Sequence, residues 1–549
     1  MNIANPQKAR FIIIISALLI LVASTGCIRP DHWSVYEQSL TRTGLKKIPL
    51  SGQEDIDRVP DPITADTVQT VNSLSLSLDQ ALVMALEASP GLRVERYSPV
   101  LAGLYEQIER GRFDPELFSQ LSYDRDRTQE KDPVTSTWDR AGDQSHNALI
   151  GISQKLPSGT DIEVGIAHTI DNPFQEPEEQ KLRMGMTVTQ ALLRGQNPLV
   201  NLASIHQARL NTTASMYELR GIVEAFLADT ETAYWDHVLA RQEIDIFENS
   251  LDIARKQLSE VEQCIEIGTL PPIESAAAKV EVSLREQALI NAKSRFEESR
   301  LRLLFYIHQG QDRQYDLQIK TTSTAVSKPE TDITPIDHLQ LADQSRSDLQ
   351  EARLRMKQHR LEIVKTRNGI LPRLDLFISL GKTGYADSFS DSFRAMNDST
   401  YDFSVGIRFS RTLGNRTAQA RDSAARVGLK QVQEALENMR QIIQRDVRIA
   451  LNDLDRVKQQ ITATRVTRMH QEESLKAEQE RFEAGTSTGL LVAQTQRDLL
   501  ASHILEVEAI INYRKSLVGL YLAEGSLLER RGIHLAPFAE MPFPATPLR

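Results

Sequence analysis

Asp114-Pro115-Glu116-Leu117 returns in altered form as Leu371-Pro372-Arg373-Leu374, and this pair of stretches decides how the chain folds. The upstream residues repeat as well. Ser89-Pro90-Gly91-Leu92 answers to Arg346-Ser347-Asp348-Leu349, and Leu92 with Leu349, like Pro115 with Pro372, stands 257 residues apart. In each copy a helical pattern stops just before the proline, because its ring disfavours a helical predecessor, and an alternating pattern begins after it. The chain is therefore two copies of one plan.

The alternation is that of strands. In the second copy Leu374, Leu376, Ile378 and Leu380 interleave with polar residues, and so do Tyr401, Phe403, Val405, Ile407 and Phe409. In the first copy Ile162, Val164 and Ile166, then Leu182, Met184, Met186 and Val188, do the same. Period two with one polar face suits a sheet on a soluble core, and equally a barrel with lipid outside and water inside. Each strand block ends at a glycine, Gly195 or Gly414, which lie only 219 residues apart, so the first copy holds 38 extra residues. These contain the run Gly151 to Leu156, the turn Pro157-Ser158-Gly159 and a strand from Asp161, an inserted β-hairpin that either adds strands to the sheet or decorates its mouth.

Long helices follow. Ile244, Phe247, Leu251, Ala254, Leu258, Val261 and Ile265 recur in steps of three and four, as do Leu429, Val432, Leu436, Met439, Ile443, Val447, Ala450, Leu454, Val457 and Ile461. Such seams predict antiparallel coiled coils. They turn at Glu266-Ile267-Gly268-Thr269-Leu270-Pro271-Pro272 and at Glu483-Ala484-Gly485-Thr486-Ser487, where glycine ends a helix and proline can open the next. Strand exit to tip is 73 residues in one copy and 71 in the other. At 1.5 Å per residue each helix could span on the order of 100 Å, and matched lengths put the two tips at one level.

With 549 residues, 40% hydrophobic and 25% charged, the chain is foldable and not a disordered one. After residue 27 no segment approaches the roughly 20 apolar residues of a membrane-crossing helix. A net charge of −10 argues against a nucleic-acid partner. Two cysteines and eleven scattered histidines exclude a disulfide scaffold and predict no metal site and no cofactor. His146, His168, His206, His237, His308, His338, His359, His470 and His503 are expected mostly on helical surfaces. No phosphate loop follows a strand, and no Ser or Cys has a local activating base, so no catalytic residues are expected and the chain is not an enzyme.

At the N-terminus Lys8 and Arg10 precede the apolar run Phe11 to Val22, and Ala23-Ser24-Thr25-Gly26-Cys27 follows. This is a secretory signal. Small residues running into Cys27 resemble a bacterial lipobox, with Ser24 where leucine is usual, so Cys27 is the expected lipid-attachment site. Ile28 in place of an acidic residue favours the outer membrane. The expected organisation is a signal peptide (1–26), a lipid-anchored linker (27–75), a first repeat (76–311) with strands at about 117–190 and a tip near 268, and an inter-repeat equatorial segment (312–336). A second repeat (337–530) with strands at about 374–410 and a tip near 485, then an irregular tail (531–549), complete it.

Arg481-Phe482-Glu483-Ala484-Gly485 followed by Gln494-Thr495-Gln496-Arg497-Asp498-Leu499-Leu500 resembles the second-repeat signature of TolC-like outer membrane efflux proteins. Glu231-Thr232-Ala233-Tyr234-Trp235-Asp236, Gly268-Thr269-Leu270-Pro271-Pro272-Ile273-Glu274 and the junction Thr189-Gln190-Ala191-Leu192-Leu193-Arg194-Gly195 resemble the first. The likeness spans nearly all of residues 76–528. It implies a mixed α+β, mainly α fold that works as a homotrimer. Strands of all three subunits form one outer-membrane β-barrel, and helices form one periplasmic α-barrel. A periplasmic adaptor (membrane fusion protein) and an inner-membrane pump dock at the helical tips.

On this resemblance Ile267, Gly268, Thr269, Leu270, Ala484, Gly485, Thr486 and Ser487 are the expected adaptor contacts. Phe482 stands where the family often has an aperture tyrosine; packing of the hairpin is an equal reading. Leu491 and Gln494 occupy positions where some relatives place an acidic aperture ring, and neither is acidic. Glu274 stands at the corresponding point after the first tip, where a helix N-terminal glutamate is the favoured reading over a pore collar. Cys264 reads as a packing residue. The expected function is the exit duct of a tripartite efflux pump, with type I protein secretion as the alternative, and a lipid-anchored coiled-coil scaffold without a pore as the alternative of another class.

Overall fold

The computed structural model describes residues 73–131, 138–141, 143–173, 179–307, 315–323, 334–397 and 400–533. The signal peptide, Cys27, most of the linker and the tail after 533 lie outside the described residues. The chain begins with β1 (Ser73–Leu76), α1 (Leu78–Ala88), α2 (Pro90–Glu95) and α3 (Tyr97–Arg110). Six strands follow: β2 (Glu116–Arg125), β3 (Thr128–Lys131), β4 (Trp138–Ala141), β5 (Asp143–Lys155), β6 (Thr160–Pro173) and β7 (Glu179–Ala191). Next come α4 (Pro198–Asn201), α5 (Ala203–Glu266), α6 (Glu274–Ile307), β8 (Gln318–Thr321), α7 (Pro335–Ser345) and α8 (Ser347–Gly369). The second copy closes with β9 (Arg373–Ala386), α9 (Phe389–Ala395), β10 (Asp402–Ser410), α10 (Arg416–Glu483), α11 (Gly489–Glu524) and α12 (Leu527–Arg530). The chain divides into two compact units.

The first unit comprises residues 100–213 and 353–434 of the described chain. Its centre is a six-stranded, wholly antiparallel sheet in the order β10-β9-β7-β6-β5-β2. The inserted hairpin, β5 and β6, is hydrogen-bonded on both sides inside this sheet, so the length difference between the repeats adds strands. Directly opposed residues share a face. On one face stand Leu117, Leu121, Ile150, Ile152, Val164, Ile166, Met184, Met186, Val188, Leu376, Ile378, Leu380, Phe403, Val405, Ile407 and Phe409. The opposite face carries mostly Ser, Thr, Asp, Gln, Arg and Gly. Below the sheet the start of α5 is clasped to α8 by two amides: Gln207 Nε2 donates to the Gln358 carbonyl at 3.2 Å and Gln358 Nε2 to the Gln207 carbonyl at 3.1 Å.

The second unit comprises the described residues of 38–99, 214–352 and 435–533. Its core joins Leu76, Leu82, Leu227, Tyr234, Leu303, Leu304, Ile307, Ile319, Val457, Ile511 and Leu520. The last described linker residues form β1, which pairs in parallel with β8. Tyr234 clamps that pair: its hydroxyl donates to the Leu76 carbonyl at 3.0 Å and accepts from Ser323 N at 3.2 Å. The predicted seams are packed, with Ile244, Phe247, Leu251 and Ala254 buried on α5 and Leu436, Ile443, Val447, Leu454, Val457 and Ile461 buried on α10.

Two expectations need correction. His237 and His338 are not on helical surfaces. Both are buried, His237 Nδ1 lying 3.0 Å from Ser299 Oγ and His338 Nδ1 against the Glu524 carboxylate, because each fills a gap between packed helices. His146 and His168 lie on β5 and β6. At the first tip the prolines do not open the helix. Pro271 and Pro272 stay in the turn, their carbonyls accepting from Glu274 N at 3.2 Å and Ser275 N at 3.3 Å, and α6 begins at Glu274.

Candidate functional site: two hairpin tips and a two-faced sheet

The tips share one hydrogen-bond design. At the first, Thr269 N donates to the Cys264 carbonyl at 2.9 Å and Gly268 N to that of Ile265 at 3.0 Å. At the second, Thr486 N donates to the Arg481 carbonyl at 2.9 Å and Gly485 N to that of Phe482 at 2.9 Å. This 6→1, 5→2 pattern needs a left-handed residue, supplied by Gly268 at φ +82° and Gly485 at φ +74°. In both, the threonine hydroxyl adds a second bond to the same carbonyl, at 2.8 Å and 3.0 Å. The backbone is thus satisfied internally and the side chains are left outward. Ile267 is 77% exposed, Thr269, Ala484 and Thr486 are exposed, and Leu270 and Ser487 are half-buried.

The structure brings the tips together within the second unit. A side-chain carbon at Gly489 would lie 3.8 Å from the Glu274 carboxylate and 3.9 Å from the Phe482 ring. Glu274 is the first residue of α6 and faces the start of α11, so it sits near two helix N-termini whose exposed amides favour negative charge. Phe482 is half-buried in the same place, while Leu491 and Gln494 are exposed one turn further on. Ser487 Oγ donates to Glu478, a buried carboxylate that also lies 3.2 Å from Arg481 Nη1.

Sequence reasoning missed the charges behind the tips. Glu281 is buried on α6, with Arg285 Nη2 at 2.6 Å and, across on α11, Arg497 Nε at 4.0 Å. Burial pushes the Arg285 guanidinium below its ordinary range despite the Glu281 carboxylate beside it. Between α5 and α6 runs a ladder of pairs: Glu262 with Lys279 at 3.2 Å, Arg255 with Glu286 at 2.6 Å, and Glu248 with Lys293 at 3.4 Å. Steps of seven with alternating sign are a coiled-coil flank that sets register, and this spacing could have been read from the sequence. The meeting of Glu281 with Arg497 carries no such signal, since the two are 216 residues apart.

The sheet of the first unit has its own constellation. Phe118, Gly151, Gly165, Gly185, Gly381 and Asp402 stand directly opposite one another across all six strands on the polar face. Because Gly381 has no side chain, Arg183 reaches over it to Asp402, Nη2 to Oδ2 at 2.5 Å; a Cβ there would lie 2.4 Å from the Asp402 carboxylate. On the apolar face the short helix α9 lies against β7 and β9, with Phe389 edge-on to His168 at 5.1 Å. Phe389, Phe393 and Met396 with Leu121, Ile150 and Met184 border a groove of about 410 Å³. Exposed hydrophobic side chains dominate this face: Leu121 is 84% exposed, Leu117 71% and Ile407 67%. Among the described residues no helix is long and apolar enough to cross a membrane, and no group of His, Cys, Asp or Glu could hold a metal.

Residues 338–526 match the family model of the outer membrane efflux proteins. Searched against curated proteins, the sequence matches none. In fold, more than four fifths of the chain is similar to solved outer-membrane channels at low identity. OprN aligns at 15% identity and a TM-score of 0.61, over 82% of this chain and 90% of that one. The Campylobacter jejuni channel CmeC aligns at 14% identity and 0.60, over 84% and 86%. CusC aligns at 14% identity and 0.60, over 87% and 99%. The expected TolC-like fold, two repeats with long helical hairpins and an antiparallel sheet, is therefore present, and the solved structures it resembles are outer-membrane channels.

Proposed function

We propose that the protein is the outer-membrane duct of a tripartite efflux pump, a homotrimer anchored through Cys27 and extending into the periplasm. The observation that carries this reading is the two-faced sheet. A six-stranded sheet with an exposed hydrophobic face and a polar, charged opposite face is stable where lipid covers the first and water the second. A pore-less scaffold would have to hide Leu121, Leu117, Ile407 and Phe403 from water, at a cost of about 25 cal/mol per Å² left exposed. The exposed phenylalanines of α9 suit the aromatic girdle of a membrane interface.

The duct performs no chemistry. The tips, with their backbone bonds already made, offer Ile267, Thr269, Leu270, Ala484, Thr486 and Ser487 to adaptor hairpins. Contacts behind them, Glu281 with Arg285 and Arg497, hold α6 to α11. Adaptor binding opens the bore to the extent that it favours the splayed arrangement over the closed one. Purified protein reconstituted in planar bilayers should conduct, and crosslinkers at Thr269 and Ser487 should capture the adaptor. A protein that stays soluble without detergent once its lipid is removed, and passes no current, refutes the duct. If the captured partner belongs to a protein exporter, the duct serves type I secretion.

A further inference from the structure

Among the described residues β2 and β10 each pair with one neighbour only, leaving the two outer edges of the sheet with unpaired backbone groups. We propose, on the duct reading above, that β10 of one copy pairs with β2 of the next in a single register, from Asp402 opposite Asp124 to Ser410 opposite Glu116. Three copies of a six-stranded sheet then close an eighteen-stranded barrel.

Direction comes first. Five successive antiparallel pairings leave β2 and β10 running oppositely, so the junction repeats the antiparallel pattern of every other pair. Side-chain parity comes next. The apolar residues are Phe403, Val405, Ile407 and Phe409 on β10, and Leu117, Leu121 and Tyr123 on β2. Only registers that set odd positions against odd keep the apolar face continuous, and a one-residue slip would turn one strand inside out.

Tilt then selects among the remaining registers. The row from Phe118 to Asp402 runs straight across the strands. If Asp402 meets Asp124 of the next copy, each subunit advances six residues while crossing six strands. With a rise of about 3.3 Å and strands about 4.8 Å apart, this is a tilt of about 35°, within the range of closed membrane barrels. A stagger of four gives about 25°, too shallow. A stagger of eight gives about 43° but carries Asp402 past the end of β2 at Arg125 and sets Phe403 against Arg125. A stagger in the other sense leaves β10 beyond the start of β2.

The chosen register pairs all of β10 and sets Phe403 on Tyr123, Val405 on Leu121 and Phe409 on Leu117, apolar contacts of the kind that stabilise sheets. It also opposes Asp402 and Asp124, and the Arg183 ion pair offsets that repulsion. The closed barrel has a backbone radius of about 17 Å, where twelve strands at the same tilt would give about 11 Å. The inserted β5–β6 hairpin is thus what widens the bore.

The test uses the full chain in a Cys264→Ser background. Val405→Cys with Leu121→Cys should oxidise to covalent dimers and trimers, and each single variant should not. Ile407→Cys with Ser119→Cys repeats the same register in case the first pair folds poorly. Bonding of Val405→Cys to Tyr123→Cys or to Ser119→Cys instead overturns the register. Absence of bonds in every frame, in a protein that is trimeric and conducts, overturns the closure and leaves the duct standing; a monomer without conductance overturns both.

Discussion

Arg497→Ala is the sharpest perturbation of the proposed gate. Arg497 is the only α11 residue whose ionic contact with Glu281 of α6 is recorded among the described residues, Nε to Oε1 at 4.0 Å. Glu281 is 10% exposed and Arg497 43% exposed, so solvent screens one end of the pair. Two charges at 4 Å attract by about 1 kcal/mol in bulk water and about 4 kcal/mol at the effective dielectric near a protein surface. After side-chain ordering and screening, such half-exposed pairs net roughly 0.2–1 kcal/mol. Taking about 0.5 kcal/mol per copy, a trimer that opens in concert loses about 1.5 kcal/mol of closed-state preference, about a tenfold rise in the open-to-closed ratio. Glu281→Gln should do more, because it leaves the buried Arg285 without its carboxylate. Single-channel recording in planar bilayers reads both. If Arg497→Ala leaves the open probability within twofold of the parent while Glu281→Gln also does nothing, this cluster does not hold the gate.

Three other outcomes are expected. Burial holds the His237 imidazole down at about 4, stacked on Phe296 beside Arg300, Glu297 and Arg241, so the folded state refuses a proton that the unfolded chain binds below about 6.5. Its contribution is therefore intact above pH 6.5 and lost as pH falls toward 4. Relative to a His237→Gln variant the parent should lose about 2–3 kcal/mol between pH 7.5 and 4.5, read by chemical denaturation, and a constant gap refutes the burial argument. Gly384→Ala places a carbon 1.9 Å from the Ser392 carbonyl, so α9 must lift from the sheet; protease nicking between residues 388 and 396 should rise several-fold in that variant and not in Gly369→Ala, where nothing lies within 4 Å. Gly485→Ala meets no neighbour but keeps a left-handed backbone at a cost of about 1–2 kcal/mol. Hydrogen exchange at the Thr486 amide should then quicken by about five- to thirtyfold, and unchanged protection would mean the tip bonds do not depend on that glycine.

The sequence by itself determined what depends on local period and local turn chemistry. Prolines at 115 and 372 mark where helix gives way to strand, and glycines at 268 and 485 mark the tips, because backbone sterics act over a few residues. Repeat offsets located the inserted hairpin to within its own length, and the buried seams on α5 and α10 followed from spacing alone. The tertiary structure decided everything that depends on which distant residues meet. Alternation says that a strand has two faces and is silent on its neighbours, so the sheet order, the row of glycines beneath Arg183, and the place of β5 and β6 inside the sheet appear only with the hydrogen-bond ladder. The same holds for β1 on β8, for His237 and His338 drawn inward, and for Glu281 beside Arg497: each is a contact between residues far apart in the chain, chosen by packing and by the need to pair buried charge, which no window of sequence contains.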